Sequence, residues 1–223
     1  MIDNPQYNFG FTAGAAMLNE TRAMAEAYLD CGCDWERTKE KVLNENILSK
    51  GKVVTTKRYF ALIKERLETL NDAELHAFVS GSVSTQRLLV ILAICKAYSF
   101  IYDFINEYVR ECFYNLQEKV THTVFNEFYN EKKYIHPELE NVTENSVYKM
   151  RQVLFRILEQ TEIIESANDG TIRRPYLSPE LEEMIVMDDA KWLAVFLYSN
   201  NEISNLKEVY NGREIHRHGL NVR

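Results

Sequence analysis

A mainly α protein, a multi-helix bundle followed by a smaller C-terminal helix-hairpin-helix lobe of winged-helix-like character, is the fold class this sequence predicts. Three observations predict it. The 223 residues include only 8 Gly and 4 Pro, which leaves little material for the turns of an all-β protein. Apolar residues recur at helical spacing through most of the chain. Ser, Thr and Asp stand ahead of most of these stretches, where a helix needs an acceptor for its unpaired N–H groups.

The elements follow in order. Thr12 is placed to cap a first helix reaching Asp30, with Ala15, Leu18, Ala25 and Leu29 on one side and Gly32 as its stop. Asp34 caps a second, DWERTKEKVLNENIL, which turns Trp35, Val42 and Leu43 inward. Thr55 or Thr56 caps a third, VVTTKRYFALIKERLETL from Val53 to Leu70. Its inward stripe is Tyr59, Leu62, Ile63, Leu67 and Leu70, which puts Lys57, Arg58, Lys64 and Arg66 on flanking or outer faces. Further helices span Asp72 to Val79, Ser84 to Ala97, Ser99 to Leu116 and Thr121 to Lys132. Thr143 or Asn145 caps a long amphipathic helix carrying Val147, Met150, Val153, Leu154, Ile157 and Leu158. The pattern then changes. EIIESANDGTIRRPYL alternates around Asn-Asp-Gly, a hairpin signal, and Ser178-Pro179 opens another helix. The expected organisation is a bundle over residues 1–133, the lobe over 134–204 and a polar tail over 205–223.

Charge supplies the functional signal. The chain carries a formal net charge of −7, yet Lys50, Lys52, Lys57, Arg58, Lys64 and Arg66 face only Glu65 and Glu68 between Lys50 and Leu70. A basic patch on an acidic protein holds a phosphate backbone, docks an acidic partner or is simply a solvated helix face. Arg173 and Arg174 at the hairpin form a second basic point, and Lys149, Arg151 and Arg156 on the preceding helix extend it. The aromatic run from Tyr98 to Tyr134, partly mixed with Lys132 and Lys133, reads mainly as core, with base stacking as the alternative.

Several function classes find no support. Cys31, Cys33, Cys95 and Cys112 show no disulfide spacing, which fits a reducing, cytoplasmic setting. Cys31-Gly-Cys33 lacks further ligands nearby, and His216-Arg-His218 lies in the polar tail, so no metal and no cofactor are expected. G-x-S-x-G, P-loop and G-x-G-x-x-G patterns are absent, so no enzyme is expected. The N-terminus has no basic segment leading into an apolar run, the pattern of a secretory signal. The most apolar stretch, Leu88 to Val109, is interrupted by Lys96, Asp103 and Glu107, which argues against a membrane span.

The order of the segments FTAGAAMLNETRAMAEAYL, DWERTKEKVLNENIL, TTKRYFALIKERLETL, YSFIYDFINEYVRECF, FNEFYNEKKYIHPELENVTENSVYKMRQVLFRILEQTEII and LAVFLYSNNEI resembles the BrxA family. These are small helical components of bacteriophage exclusion (BREX) defence systems. The resemblance covers about Tyr7 to Ile203. It implies a NusB-like helical fold and a non-catalytic accessory protein that works beside the system's methyltransferase and ATPase through DNA or RNA. No catalytic residue is carried over. The phosphate contacts expected from the residues themselves are Lys50, Lys52, Lys57, Arg58 and Lys64, with Arg173 and Arg174. The sequence leaves oligomeric state open.

Overall fold

The computed structural model describes residues 6–220. A single turn at Gly10–Ala13 precedes α1 (Leu18–Asp30), α2 (Trp35–Asn44), α3 (Val53–Leu67), α4 (Asp72–Ser80) and α5 (Val83–Ala97). Next, α6 (Ser99–Asp103) runs through a π-helical turn at Phe104–Val109 into α7 (Arg110–Tyr114). Then come α8 (His122–Lys133), α9 (Glu144–Gln160), α10 (Pro179–Asp189), a 3-10 stretch at Ala190–Phe196 and α11 (Asn200–Leu220). The mainly helical class predicted from the sequence is the class observed.

Many caps form where expected. The Asp34 carboxylate accepts from the N–H groups of Glu36 and Arg37, and Thr121, Thr143 and Ser178 hydroxyls accept from Val124, Ser146 and Leu181. Others move. Ser82, not Ser84, caps α5, and Val53 rather than a residue after Thr55 opens α3, with Thr56 buried inside it.

The largest shift is at the first helix, which starts at Leu18 instead of beside Thr12. Its cause is Arg66. This side chain is 1% exposed, and its guanidinium donates to the carbonyls of Gly14 at 2.8 Å, Ala15 at 2.7 Å and Ala16 at 3.5 Å. A guanidinium has only donors to offer, so it pairs best with carbonyls left outside a helix. The chain therefore stays non-helical from Gly14 and turns into α1 through Met17 at φ 54°. Arg66, expected on the basic face, is a core residue that ties α3 to the N-terminal segment.

The core is aromatic. Phe100 packs 5.0 Å from Phe128 and 5.8 Å from Phe11, and Phe104 packs 5.2 Å from Phe128. These rings are buried, as are Tyr98, Phe125 and Tyr129, so the Tyr98–Tyr134 run is mostly core. Lys132 is buried too, its ammonium 2.7 Å from Glu107 and 3.8 Å from Asp103. The N-terminal segment closes over this end: Tyr7 stacks on His136 at 3.7 Å and donates its hydroxyl to Asp103 at 2.7 Å. Helix α5 is apolar on nearly every side because it runs through the middle of the bundle.

No single helix among the described residues is long and apolar enough to cross a membrane. The pair Val83–Ala97 and Ser99–Tyr114 comes nearest by composition, but it is bent by 114° and most of its apolar residues are buried.

The expected hairpin is reduced to bridges. Ile164 pairs with Ile172 and Lys119 with Thr171, and no strand forms among the described residues. Thr171 to Arg173 is bonded on both sides, to Ile163 and Glu165 on one and to Glu118 on the other, so this turn is stitched into the protein and does not project as a wing. Gly170 makes the close approach possible. Its φ is 73°, and a Cβ there would lie 2.1 Å from the Val120 carbonyl oxygen. Beyond Leu197 the expected polar tail begins inside α11, and the Tyr210 hydroxyl donates to Glu182 at 2.9 Å. The side chains of His216 and His218 lie outside the described residues.

Candidate nucleic-acid interface

Helix α3 is amphipathic because its apolar residues fall on one side: Phe60, Ile63 and Leu67 are buried with Thr56, and the basic residues of its first half point outward. Lys52 stands at the N-cap without a side-chain acceptor, and no acidic residue sits in the first turn. The unpaired N–H groups and the positive end of the helix dipole are therefore free of a capping carboxylate. Val53 and Val54 follow at 63% and 80% exposure. Lys57 and Arg58 occupy the next turn, both exposed.

The predicted cations separate into three groups. Lys52, Lys57 and Arg58 hold no ion pair among the described residues. Lys50 and Lys64 are engaged at the edges. Lys50 reaches Glu20 at 2.8 Å and lies 4.8 Å from the centre of the Tyr59 ring, while Arg58 lies 5.5 Å from that ring. Lys64 is 3.6 Å from Glu68 and 5.4 Å from the Trp35 ring. Lys57 and Lys64 also line a 390 Å³ groove between α2 and α3 with Glu36, Lys39, Leu43, Phe60 and Ala61. Lys39 joins this surface without having been singled out by the sequence.

Arg173 and Arg174 are held elsewhere. Arg173 grips Glu165 through two nitrogens at 2.9 Å. Arg174 donates to Glu202 at 2.7 Å and lies 4.6 Å over the Tyr198 ring. Burial works against the Arg174 charge, and the Glu202 carboxylate more than offsets this, so its pKa is raised. On α9, Lys149 and Arg156 are exposed, and Arg151 donates to Asn126 at 3.1 Å. The structure therefore places Lys57, Arg58 and Lys64 on α3 with Lys52 at its N-cap and Lys50 just ahead of it, and Arg173 and Arg174 beside Arg87, in a pocket the sequence did not indicate. Arg87 had no signal of its own, since it sits in the run TQRLLVILAIC of a buried helix.

Elsewhere the chemistry is quiet. Among the described residues no group of three or more His, Cys, Asp or Glu is arranged to hold a metal ion. Burial pushes the Cys95 and Cys112 thiols upward, away from the reactive thiolate.

Comparison with known proteins gives a consistent result. The BrxA family model matches residues 5–189. A BREX protein BrxA from Escherichia coli O9:H4 (strain HS) is 28% identical over 186 residues, 83% of this chain and 87% of that protein. A BREX protein BrxA from Bacillus cereus (strain H3081.97) is 26% identical over 148 residues, covering 66% of this chain and 74% of its own. The crystal structure of an uncharacterized protein from Magnetospirillum magneticum superposes with a TM-score of 0.76 at 19% identity, over 86% of this chain and 98% of that one, which shows a shared fold. With its match running through nearly all of the bundle, this chain belongs to the BrxA family.

Proposed function

We propose that this chain is a non-catalytic accessory component of a BREX phage-defence system that holds nucleic acid, DNA ahead of RNA, through the N-terminal half of α3. The carrying observation is that Lys52, Lys57 and Arg58 are exposed and hold no ion pair among the described residues, on a helix start with no acidic cap. Cations without a carboxylate partner among the described residues keep their charge available for phosphate, and the free helix N-terminus adds N–H donors of the same sign. Lys50 and Lys64 flank them, and exchange of the half-exposed Glu68 for phosphate at Lys64 costs little because such ion pairs are weak. A protein with net charge −7 binds modestly and with strong salt dependence. The named relatives, both BREX proteins, support the cellular setting, in which the system's methyltransferase and ATPase are the expected protein partners.

Fluorescence anisotropy with a short duplex DNA and a matched RNA across a salt series tests this reading. Salt-sensitive binding that is lost in Lys57→Glu/Arg58→Glu is the expected result, and undiminished binding in that variant removes α3 from the account.

One observation favours a second reading. Val53 and Val54 expose apolar surface beside the cations, a combination suited to an acidic protein partner in the same defence complex. A pull-down from nuclease-treated lysate separates the two, since only a protein partner survives the nuclease.

A further inference from the structure

Arg87 from the start of α5 meets Arg173 and Arg174 in a 210 Å³ pocket that also includes Ser84, Glu162 and Tyr176. Three arginines lining one pocket repel one another and need counter-charge. The fold supplies it one carboxylate at a time: Glu162 accepts from Arg87 at 2.5 Å, Glu165 from Arg173 at 2.9 Å and Glu202 from Arg174 at 2.7 Å. Each guanidinium carries five N–H donors, and these contacts use one or two of them. The carboxylates thus orient the three forks and leave donors unspent. Glu162 holds its position at φ 62°, just past the end of α9, where glycine is the usual residue. A side chain kept at that conformational cost argues that its grip on Arg87 matters.

Three arginines with spare donors suit a ligand with more than two acceptor oxygens. A carboxylate has two; a terminal phosphate has three and matches guanidinium forks bidentately. The Ser84 hydroxyl is exposed and has no hydrogen-bond partner among the described residues, so it adds a donor of the right kind. Tyr176, 80% exposed, stands at the rim with its ring open to solvent. The volume falls below the roughly 300 Å³ of a site for a whole drug-sized ligand, so the pocket takes a phosphate with its sugar and leaves an attached base outside, at the ring.

We infer that this pocket binds a phosphate monoester, the terminal phosphate of a nucleotide or of a nucleic-acid strand, on Arg87, Arg173 and Arg174, with Tyr176 beside the attached group. The site goes beyond the α3 interface and uses none of its residues, so weak duplex binding by α3 counts against that interface alone.

The test uses the full chain and two comparisons: titration calorimetry with AMP against adenosine, and anisotropy with a 5′-phosphorylated oligonucleotide against its 5′-hydroxyl form. The phosphorylated ligand is expected to bind about tenfold tighter in at least one comparison, the size expected when charge-assisted hydrogen bonds are gained. Preference in the AMP arm alone assigns a free nucleotide, and preference in the oligonucleotide arm assigns a strand end. Arg87→Gln and the more exposed Arg173→Gln should each erase the preference with the urea midpoint little changed; the second keeps the test decisive if the first perturbs folding. Equal binding with and without phosphate in both arms overturns the inference, as does a preference that survives both substitutions.

Discussion

Replacing Arg66 by Ala separates this structure from a reading of α3 as uniformly basic. The guanidinium makes two short bonds, to the carbonyls of Ala15 and Gly14, and a longer one to Ala16, all from a side chain that is 1% exposed. Hydrogen bonds to a charged group contribute about 1.5–3 kcal/mol each, and buried acceptors left without donors cost about as much. The two short bonds alone set the loss at about 3–6 kcal/mol. Relief of the buried guanidinium, whose pKa burial lowers, returns part of this, and the lost packing of its stem takes part away again. A net loss of about 3 kcal/mol is expected. At a urea m-value of about 2–3 kcal/mol/M, that lowers the midpoint by about 1 M with the slope unchanged. Arg66→Lys should not restore it, because one ammonium cannot reproduce the planar fork that reaches adjacent carbonyls. Lys57→Ala and Arg58→Ala, exposed on the same helix, should stay within about 0.5 kcal/mol of wild type. A loss below about 1 kcal/mol for Arg66→Ala would refute both the buried role and the explanation of why α1 starts at Leu18.

Three further outcomes follow from particular contacts. Lys96 sits 2.7 Å from the fully buried Glu74 and 2.8 Å from Asp188, so Lys96→Ala should cost about 3–5 kcal/mol in chemical denaturation, while Lys96→Met/Glu74→Gln should recover much of it. At Glu202 burial favours the neutral acid, but the Ser199 N–H, Arg174 and the Ser199 and Tyr114 hydroxyls outweigh it and hold the pKa at about 2, below the ordinary 4.5. A lowered carboxylate pKa stabilises the fold above about pH 4.5 and loses that contribution as pH falls toward 2. The stability difference between wild type and Glu202→Gln should therefore shrink across that window when followed by pH-dependent melts. Gly170→Ala should destabilise by more than about 1 kcal/mol in thermal melts, since it adds a Cβ where φ is 73° and the Val120 carbonyl lies 2.1 Å away.

The helical class and several helix starts were legible because they depend on local chemistry. Asp34, Thr121, Thr143 and Ser178 cap helices through bonds spanning two or three residues, and the stripe of α9 buries as its spacing requires. Misplaced features depend on partners far away in sequence. Arg66 reads as a surface cation until Gly14 to Ala16 arrive from some fifty residues upstream. The alternation around Asn-Asp-Gly promises a free hairpin, but Glu118 to Val120 claim one edge of it and the left-handed Glu162 ends the other. Of the candidate interface, the basic character of α3 was visible; which cations are already spent on carboxylates, and that Arg87 joins Arg173 and Arg174, was not.

The most direct test of the central claim is the salt dependence of duplex DNA binding by the wild-type chain and by Lys57→Glu/Arg58→Glu. If Lys52, Lys57 and Arg58 each neutralise one phosphate, log K falls against log salt with a slope of about −2.7 in wild type, and the variant loses most of both slope and affinity. A wild type without salt-sensitive binding, or a variant that keeps the full slope, contradicts the assignment of α3 as the phosphate-contacting surface.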